Sequence, residues 1–408
     1  DSSTSRGLGD VYKRQILFLI SSIVLGSQYI GFISFRQLFA LVMFCLCIRE
    51  PKNLLNENSN KFFLVFVLLF GFTSVLHGYA EDYLKTVLAY YFVAFVGLWS
   101  TMLAFKKSYG MVFVHTLVTI GLFDAIITIL QSFANPIALS VGFMFASEEI
   151  EFITDRFNEG EFVSMALMGI FGAVYNGYFL LVSAILSTVY ILHYKHCIKF
   201  VPFILCIIGS FVCQQRAPFI ILIVFIGFFL IKYSRHLKPI HKFMFFIIAI
   251  VAIIYIYPMF VEFSEKNNMR YSSTGLDGTG REHIYKLASE YILNNFFTGN
   301  IYDFKNIYGH LPHMLFYSMI IYGGIFGFIS VTVALFIQIR KSLSAILRPL
   351  NAENIMSLSV SCALIAFTAN SFTHNYSIVS GDILYWILWG GVLSLNKYQN
   401  QYYCPLKK

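Results

Sequence analysis

Residues 279–282 have the pattern of a helix start in which an arginine stands where anions bind. Thr279 fits the N-cap and Glu282 the third helical position of a capping box. Arg281 then lies in the first turn, where free backbone N–H groups and the helix dipole attract negative charge. Because its planar guanidinium pairs with two phosphate oxygens at once, Arg281 is a candidate for holding a diphosphate. An arginine that simply points into water beside a surface helix is the alternative.

A second candidate lies in the Gly-His-Leu-Pro-His sequence at 309–313. Pro312 suits the first position of a helix, which puts His313 in the first turn of the apolar segment that follows. The positive end of the helix dipole favours a neutral imidazole, which can accept a proton. His313 is therefore a candidate general base, with His310 as a supporting residue. A histidine that only caps the helix is the alternative.

Further polar candidates lie in or between apolar segments. Arg216 follows Gln215 in a short turn, where an arginine either faces a polar cavity or reaches the lipid headgroups. Asp124 lies well inside the apolar segment 110–133, which makes it a functional candidate, with a buried hydrogen bond to a neighbouring helix as the alternative. Arg156 lies in a run with several acids and is assigned to a solvated face, with substrate contact as the alternative.

The elements that carry these residues are predicted to be membrane helices. The chain is 58% hydrophobic and only 12% charged, which is unlike a soluble protein of this length. Its apolar blocks of roughly 15–25 residues match the length of a helix that crosses about 30 Å of hydrocarbon. The fold class is therefore all-α, a polytopic transmembrane bundle of about twelve helices. They are predicted near 16–31, 34–48, 62–77, 86–105, 110–133, 169–193, 198–213, 218–231, 243–262, 314–338, 354–372 and 382–396.

Basic residues set the predicted orientation of these helices. Clusters of lysine and arginine occupy every second connection, and such connections are cytoplasmic. Both termini are then predicted inside, and three segments outside: 134–168, the turn at Gln215 and Arg216, and the long loop 263–313. The last loop, with about fifty residues and an amphipathic helix after Arg281, is too long for an idle connection.

The domain organisation is predicted to be simple. Residues 1–15 resemble a translated sequencing-adaptor sequence and are set aside, which leaves 16–408 as one transmembrane domain. Gly324 and Gly327 are expected to let helices pack closely. The seven cysteines fall in or beside apolar segments or in the tail, so no structural disulfide is expected. No metal-ligand spacing is present in the sequence, and no cofactor is expected.

Together these motifs resemble the O-antigen polymerase and O-antigen ligase superfamily. His313, followed after ten residues by Gly324-x-x-Gly327, resembles its histidine–glycine signature, although Met314 replaces the usual Asn, Ser or Gln. Thr-Gly-Arg at 279–281 resembles its Ser-Gly-Arg element, and Phe-Phe-Thr-Gly at 296–299 its Asn-Pro-x-x-Gly continuation. Gln-Arg-Ala at 215–217 resembles its Ser-Arg-Gly element, and 169–177 a Gly-x-Phe stretch with a later Asn.

The resemblance implies an enzyme at the outer face of the bacterial inner membrane. Members of this family transfer a glycan from undecaprenyl diphosphate to an acceptor hydroxyl, without a metal ion. His313 would be the general base, and Arg216 and Arg281 would hold the diphosphate. Attack opposite the leaving group implies inversion at the anomeric carbon. A chain-length regulator and a flippase are the expected protein partners, besides membrane lipid, and no nucleic acid is expected.

Three functions remain open on sequence alone. A polymerase of oligosaccharide repeat units is favoured, and a ligase that transfers glycan to the lipid A core differs from it only in the acceptor. A lipid-linked sugar transporter, or flippase, is the alternative of another class. It would be expected to show binding groups at the membrane midplane and internal repeats, whereas the polar candidates here lie mostly in predicted outer segments.

Overall fold

The computed structural model describes most of the apolar part of the chain. The described residues are 23–25, 28–30, 33–47, 56–106, 110–133, 135–145, 168–172, 175–194, 197–213, 215–233, 238–240, 242–244, 246–247, 250, 254, 281–309, 311–312, 314–349, 354–373 and 378–398. The predicted helices 16–31 and 243–262 fall largely outside these ranges, as do His310, His313, Arg156 and the side chains of Arg216 and Arg281.

Helices dominate the described residues, and a single two-stranded hairpin accompanies them there. The first half contains β1 (Tyr29–Ile30), β2 (Ile33–Ser34), α1 (Phe35–Cys47), α2 (Asn58–Leu76), α3 (Ala80–Thr86), the π-helix Val87–Tyr91, α4 (Phe92–Lys106), α5 (Gly110–Ser132) and α6 (Pro136–Phe145). The second half contains α7 (Tyr175–Tyr194), the 3-10 helix Cys197–Phe200, α8 (Val201–Val212), α9 (Arg216–Tyr233), α10 (Arg281–Asn294), α11 (Ile301–Tyr308), α12 (Leu315–Leu347), α13 (Ile355–Ser371) and α14 (Ile383–Tyr398).

Five of the described helices are long and apolar enough to cross a membrane. They are Asn58–Leu76, Ala80–Phe105, Gly110–Ser132, Tyr175–Leu192 and Leu315–Leu347. Shorter apolar helices, such as Ile355–Ser371, pack beside them. The all-α class and the membrane helices that the sequence predicts are therefore present, whereas the count of about twelve remains a prediction.

The bundle is built around α7. In its apolar window 94% of the residues are buried, compared with 50% to 56% in the other four candidate spans. Helices α5, α8, α9 and α13 pack around it, α12 packs along α2, and α14 packs along α4. A helix that is apolar on all sides fits this central position, since it presents no face to water.

Several helix boundaries differ from the predicted ones. The span predicted at 86–105 begins at Ala80 and passes through the π-helix Val87–Tyr91, and the span predicted at 314–338 continues to Leu347. Residues 136–145, predicted as part of an outer loop, form the helix α6. In the two spans the added residues mix polar and apolar types, so hydropathy alone does not mark where the helix begins or ends.

Candidate functional site

The starts of α10 and α12 lie side by side, which is the main structural feature of the candidate site. The rings of Tyr285 in α10 and Tyr317 in α12 stack with centroids 5.4 Å apart. The Tyr317 hydroxyl also lies 3.1 Å from Ser289 Oγ. In the sequence, Arg281 and His313 each stand four residues before one of the two stacked tyrosines. The contact therefore brings together the chain segments that carry both predicted residues.

The two helices run in the same direction over this stretch. The end of α10 meets α12 just after the break in α12, where Ile325 N donates a hydrogen bond of 2.9 Å to the carbonyl of Phe296. Tyr285 thus faces Tyr317 near the start, and Phe296 faces Ile325 further along. Because both helices are oriented alike, their positive dipole ends point to the same side, which favours an anion there.

Residues 296–299 dock into a break in α12. Gly323 (φ −145°, ψ 21°) and Gly324 (φ 62°, ψ −165°) leave helical geometry, so α12 is two helical pieces joined at this point. A Cβ on Gly324 would lie 2.2 Å from the carbonyl oxygen of Phe297, and one on Gly299 would lie 2.7 Å from that of Ile320. The two sequence elements that the resemblance singled out, 296–299 and Gly324-x-x-Gly327, are therefore in direct contact.

The structure gives the two glycines different roles from the shared one that the sequence suggested. Gly324 permits the break and the close approach of the loop backbone, whereas only Gly327 faces another membrane helix, at Phe66 of α2. The physical reason is the backbone angle at Gly324, since positive φ with ψ near 180° is open almost only to glycine.

Replacing Gly324 by alanine is expected to destabilise the protein by about 2–6 kcal/mol, the sum of backbone strain and overpacking. Gly309, which ends α11 with φ 75°, offers a matched control, because a Cβ there meets no atom within 4 Å. Gly309→Ala should cost only about 1 kcal/mol. Thermal unfolding of the purified variants in detergent compares the two. Equal stability of the two alanine variants would mean that the backbone of residues 296–299 does not pack tightly against Gly324.

Helices α10 and α11 form a hairpin that is fastened to the end of α2. Asn300 caps α11 through the backbone N–H groups of Tyr302 and Asp303, and its amide donates to Ser74 Oγ at 2.9 Å. His77 Nε2 lies 2.7 Å from the carbonyl oxygen of Thr298. The Tyr291 hydroxyl donates to Asp303 Oδ2 at 2.9 Å and so joins the two helices. This network holds the hairpin, and with it the start of α10, in one position.

A second set of polar contacts ties the hairpin to α3. The hydroxyl of Tyr302 donates to the carbonyl of Asp82 at 2.9 Å and also meets Thr86. Burial raises the pKa of Tyr302 to about 12, so this phenol stays neutral and able to donate at ordinary pH. Asn306 adds a contact to the hydroxyl of Tyr79 at 2.9 Å.

Asp124 is buried in a network that shapes a turn. Its Oδ1 accepts a hydrogen bond of 2.9 Å from Ile170 N, and Gln131, two turns further along α5, binds both N and O of Gly169. Asn176 at the start of α7 binds Thr128 in the same network. The turn 168–172 lies against these residues, and a Cβ on Gly169 would come within 2.2 Å of Asp124 Oδ1. Asp124 therefore helps to hold the turn 168–172 through a buried hydrogen bond, and its partner is the backbone of this turn and not a neighbouring helix.

Gln215 and Arg216 lie beside the same region of the bundle. Gln215 is buried, and a Cβ on Gly177 of α7 would lie 2.0 Å from its Oε1. Arg216 is the first residue of α9, so it stands at a helix start as Arg281 does. Arg156 lies outside the described residues.

Met314, which differs from the residue usual in the resembling signature, stands at the start of α12. Met314 is the N-cap of α12, with extended backbone and without a side-chain capping bond. Asn and Ser, which the resembling signature has at this place, are among the strongest N-cap residues. Methionine at this place therefore lacks a capping hydrogen bond, which is typically worth about 1 kcal/mol of helix stability. Pro312 therefore precedes the N-cap of α12 by two residues, although it was predicted to be the first residue of the helix.

A polar cluster that Tyr175, Asp382 and Arg36 form was not identified from the sequence. Tyr175 donates to Asp382 Oδ1 at 3.2 Å, and Asp382 caps α14 by accepting from Tyr385 N at 3.1 Å. Arg36 of α1 lies near enough to act on the carboxylate electrostatically, and its Nε is buried without a hydrogen-bond partner. Each residue is isolated in the sequence, so the only available signal was a charged residue at the edge of an apolar segment.

Among the described residues, no group of three His, Cys, Asp or Glu side chains could hold a metal ion. The comparisons with known proteins do not add a relative: no protein-family model matches the chain, and no curated protein matches it. The class that fold and site define is therefore an all-α protein with several apolar helices suited to a membrane and a polar helical hairpin fastened to one end of them.

Proposed function

We propose that the protein is a metal-independent, inverting glycosyltransferase that polymerises undecaprenyl-diphosphate-linked oligosaccharide repeat units. The product would be an O-antigen, a capsule or an exopolysaccharide, assembled at the outer face of the bacterial inner membrane. The observation that carries the proposal is the stacking of Tyr285 on Tyr317, which pairs the helix starts next to Arg281 and His313. The contact between 296–299 and Gly324 supports it, because it joins two more elements of the resembling signature.

The chemistry follows from the residue types. His313 takes the proton of an acceptor sugar hydroxyl, and the oxygen attacks the anomeric carbon of the donor. The bond from that carbon to the diphosphate oxygen breaks, and undecaprenyl diphosphate leaves with the negative charge. Arg216 and Arg281, both at helix starts, stabilise this charge as it develops. Attack from the face opposite the diphosphate inverts the anomeric centre.

The proposal requires the α10–α11 hairpin to face the outside and both chain termini to be cytoplasmic. Asn306 is exposed on α11, so a cysteine placed there should react with a membrane-impermeant maleimide in intact spheroplasts. Lys397, near the end of α14, is the control, and a cysteine there should react only after the membrane is opened. The native cysteines are replaced beforehand. If position 306 were labelled only from the cytoplasmic side, the proposed orientation would be wrong.

The function is tested by deleting the gene in its host and analysing the glycans. Loss of a polymerase should leave single repeat units, either on their lipid carrier or transferred one at a time to the final acceptor. Long lipid-linked polymer that never reaches the lipid A core would instead identify a ligase. Repeat units confined to the cytoplasmic face would identify a transporter. An unchanged glycan profile would contradict all three functions.

A further inference from the structure

One face of α12 is suited to lipid over a defined length. The apolar residues that are exposed on it recur at helical spacing, and they are Phe326, Ile329, Phe336, Leu343 and Leu347. From Phe326 to Leu343 the helix rises about 26 Å, close to the thickness of the hydrocarbon core. The exposed Arg340 lies near the far end, where a long side chain can reach the headgroups. This apolar face begins directly after the break at Gly324.

The exposed face of α10 changes character along its length. His283, Lys286 and Glu290 are exposed at successive intervals of three and four residues, so they share one side of the helix. The next residue in that series is Leu293, which is 80% exposed, and Phe297, in the turn after α10, is 64% exposed. A helix face that is polar from His283 to Glu290 and apolar at Leu293 fits a helix that passes from water into lipid.

The two helices mark the same boundary, because their apolar exposed residues meet. The ring centroid of Phe297 lies 6.3 Å from that of Phe326, which is 56% exposed, and Phe296 packs edge-on against Phe297. The backbone hydrogen bond from Ile325 N to the carbonyl of Phe296, and the close approach of the Phe297 carbonyl to Gly324, keep these rings near the break in α12.

We propose that the turn between α10 and α11 inserts into the acyl chains of the bilayer at the level of the break in α12. Leu293, Phe296 and Phe297 contact the phospholipid chains together with Phe326, and the boundary with water falls between Glu290 and Leu293. The stacked starts of α10 and α12 then stand on the aqueous side. The start of α12 at Leu315 is about 13 Å along the helix from the break.

The occupant of this patch is inferred to be lipid because the patch continues the lipid-facing side of α12 without interruption. A protein partner would have to cover Phe297 and also the apolar face that runs from Phe326 along the membrane span. Removing the turn from lipid would expose several large apolar side chains to water, at about 25 cal/mol per Å² of apolar area.

Photocrosslinking tests the insertion without relying on any activity. A benzophenone amino acid is placed at Phe297 of the full-length protein in its native membrane and irradiated, and lipid adducts are measured by mass spectrometry. Phe336, 65% exposed in the middle of the apolar face of α12, is the positive control. His283, on the first turn of α10 and the same exposed side, is the matched negative control.

The expected result is a phospholipid adduct at positions 297 and 336 and none at 283. An adduct at 336 but none at 297 would overturn the insertion, as would a protein adduct at 297. Adducts at both 283 and 297 would overturn the proposed boundary, because the whole of α10 would then lie in lipid. None of these outcomes depends on whether the protein transfers glycans, so a failed insertion and a failed function are told apart.

Discussion

Replacement of His313 by alanine is expected to lower the rate of polymerisation by about 10²- to 10⁴-fold, the usual contribution of a general base. Binding of the lipid-linked substrate should be retained, since the diphosphate is assigned to the arginines. The protein should also insert and fold normally, because α12 begins at Leu315 and its N-cap is Met314. The measurement is turnover of lipid-linked repeat units by the purified variant, with substrate binding measured in parallel.

His310→Ala is the control for this experiment. Both histidines lie between α11 and α12 in the sequence, but only His313 directly precedes Met314, the N-cap of α12, and stands four residues before Tyr317. The His310 variant should therefore be the milder one. Normal polymerisation by His313→Ala together with a defect in His310→Ala would mean that His310, and not His313, is the general base. Full activity of both variants would mean that neither side chain moves the proton.

Replacement of Arg281 by alanine is expected to lower turnover by about 10²- to 10³-fold, as for the loss of one preorganised donor to a developing negative charge. Arg281 is the first residue of α10, so its charge adds to the positive end of that helix dipole. Arg281→Lys should restore only part of the rate, because an ammonium group is a point charge and cannot form the paired bonds of a guanidinium.

Lys286→Ala supplies the matched control for Arg281. It removes an exposed cation from the same helix, slightly more than one turn further on, and should leave turnover almost unchanged. Arg216→Ala, at the start of α9, should resemble Arg281→Ala, since both arginines are assigned to the diphosphate. If the lysine variant of Arg281 worked as well as the native protein, the arginine would supply bulk charge and not a specific grip.

The docking of the hairpin explains why these effects should be specific to position. Asn300, His77 and Tyr302 fasten α10 and α11 to the ends of α2 and α3, and the break at Gly324 receives the loop between the two hairpin helices. Substitutions that loosen this docking are expected to act on the paired helix starts indirectly, through their distance from one another.

Local patterns in the chain were enough to predict the class of fold and several helix starts. Apolar runs of membrane length predict membrane helices because the backbone in lipid must satisfy its hydrogen bonds within each segment. The predicted helix that has Arg281 in its first turn and the predicted span 110–133 agree with α10 and α5, since apolar periodicity acts over a few residues, whereas the predicted cap Thr279 lies outside the described residues. The sequence also supplied the spacing from His313 to Gly324, although not what Gly324 contacts.

Contacts between distant segments could be decided only by the tertiary structure. In the sequence Asp124 is an isolated acid, and only the fold places the N–H of Ile170 against it. Tyr175 and Asp382 likewise form a hydrogen bond although 207 positions of the chain separate them. At the break, the carbonyl of Phe297 approaches Gly324 so closely that a Cβ there would clash, and no pattern within α12 shows this contact. Helix periodicity reports which residues share a face, but a buried polar group selects its partner by three-dimensional packing, because burial without a hydrogen bond is costly. For that reason the sequence predicted the candidate residues, and the fold determined that the segments carrying Arg281 and His313 stand together.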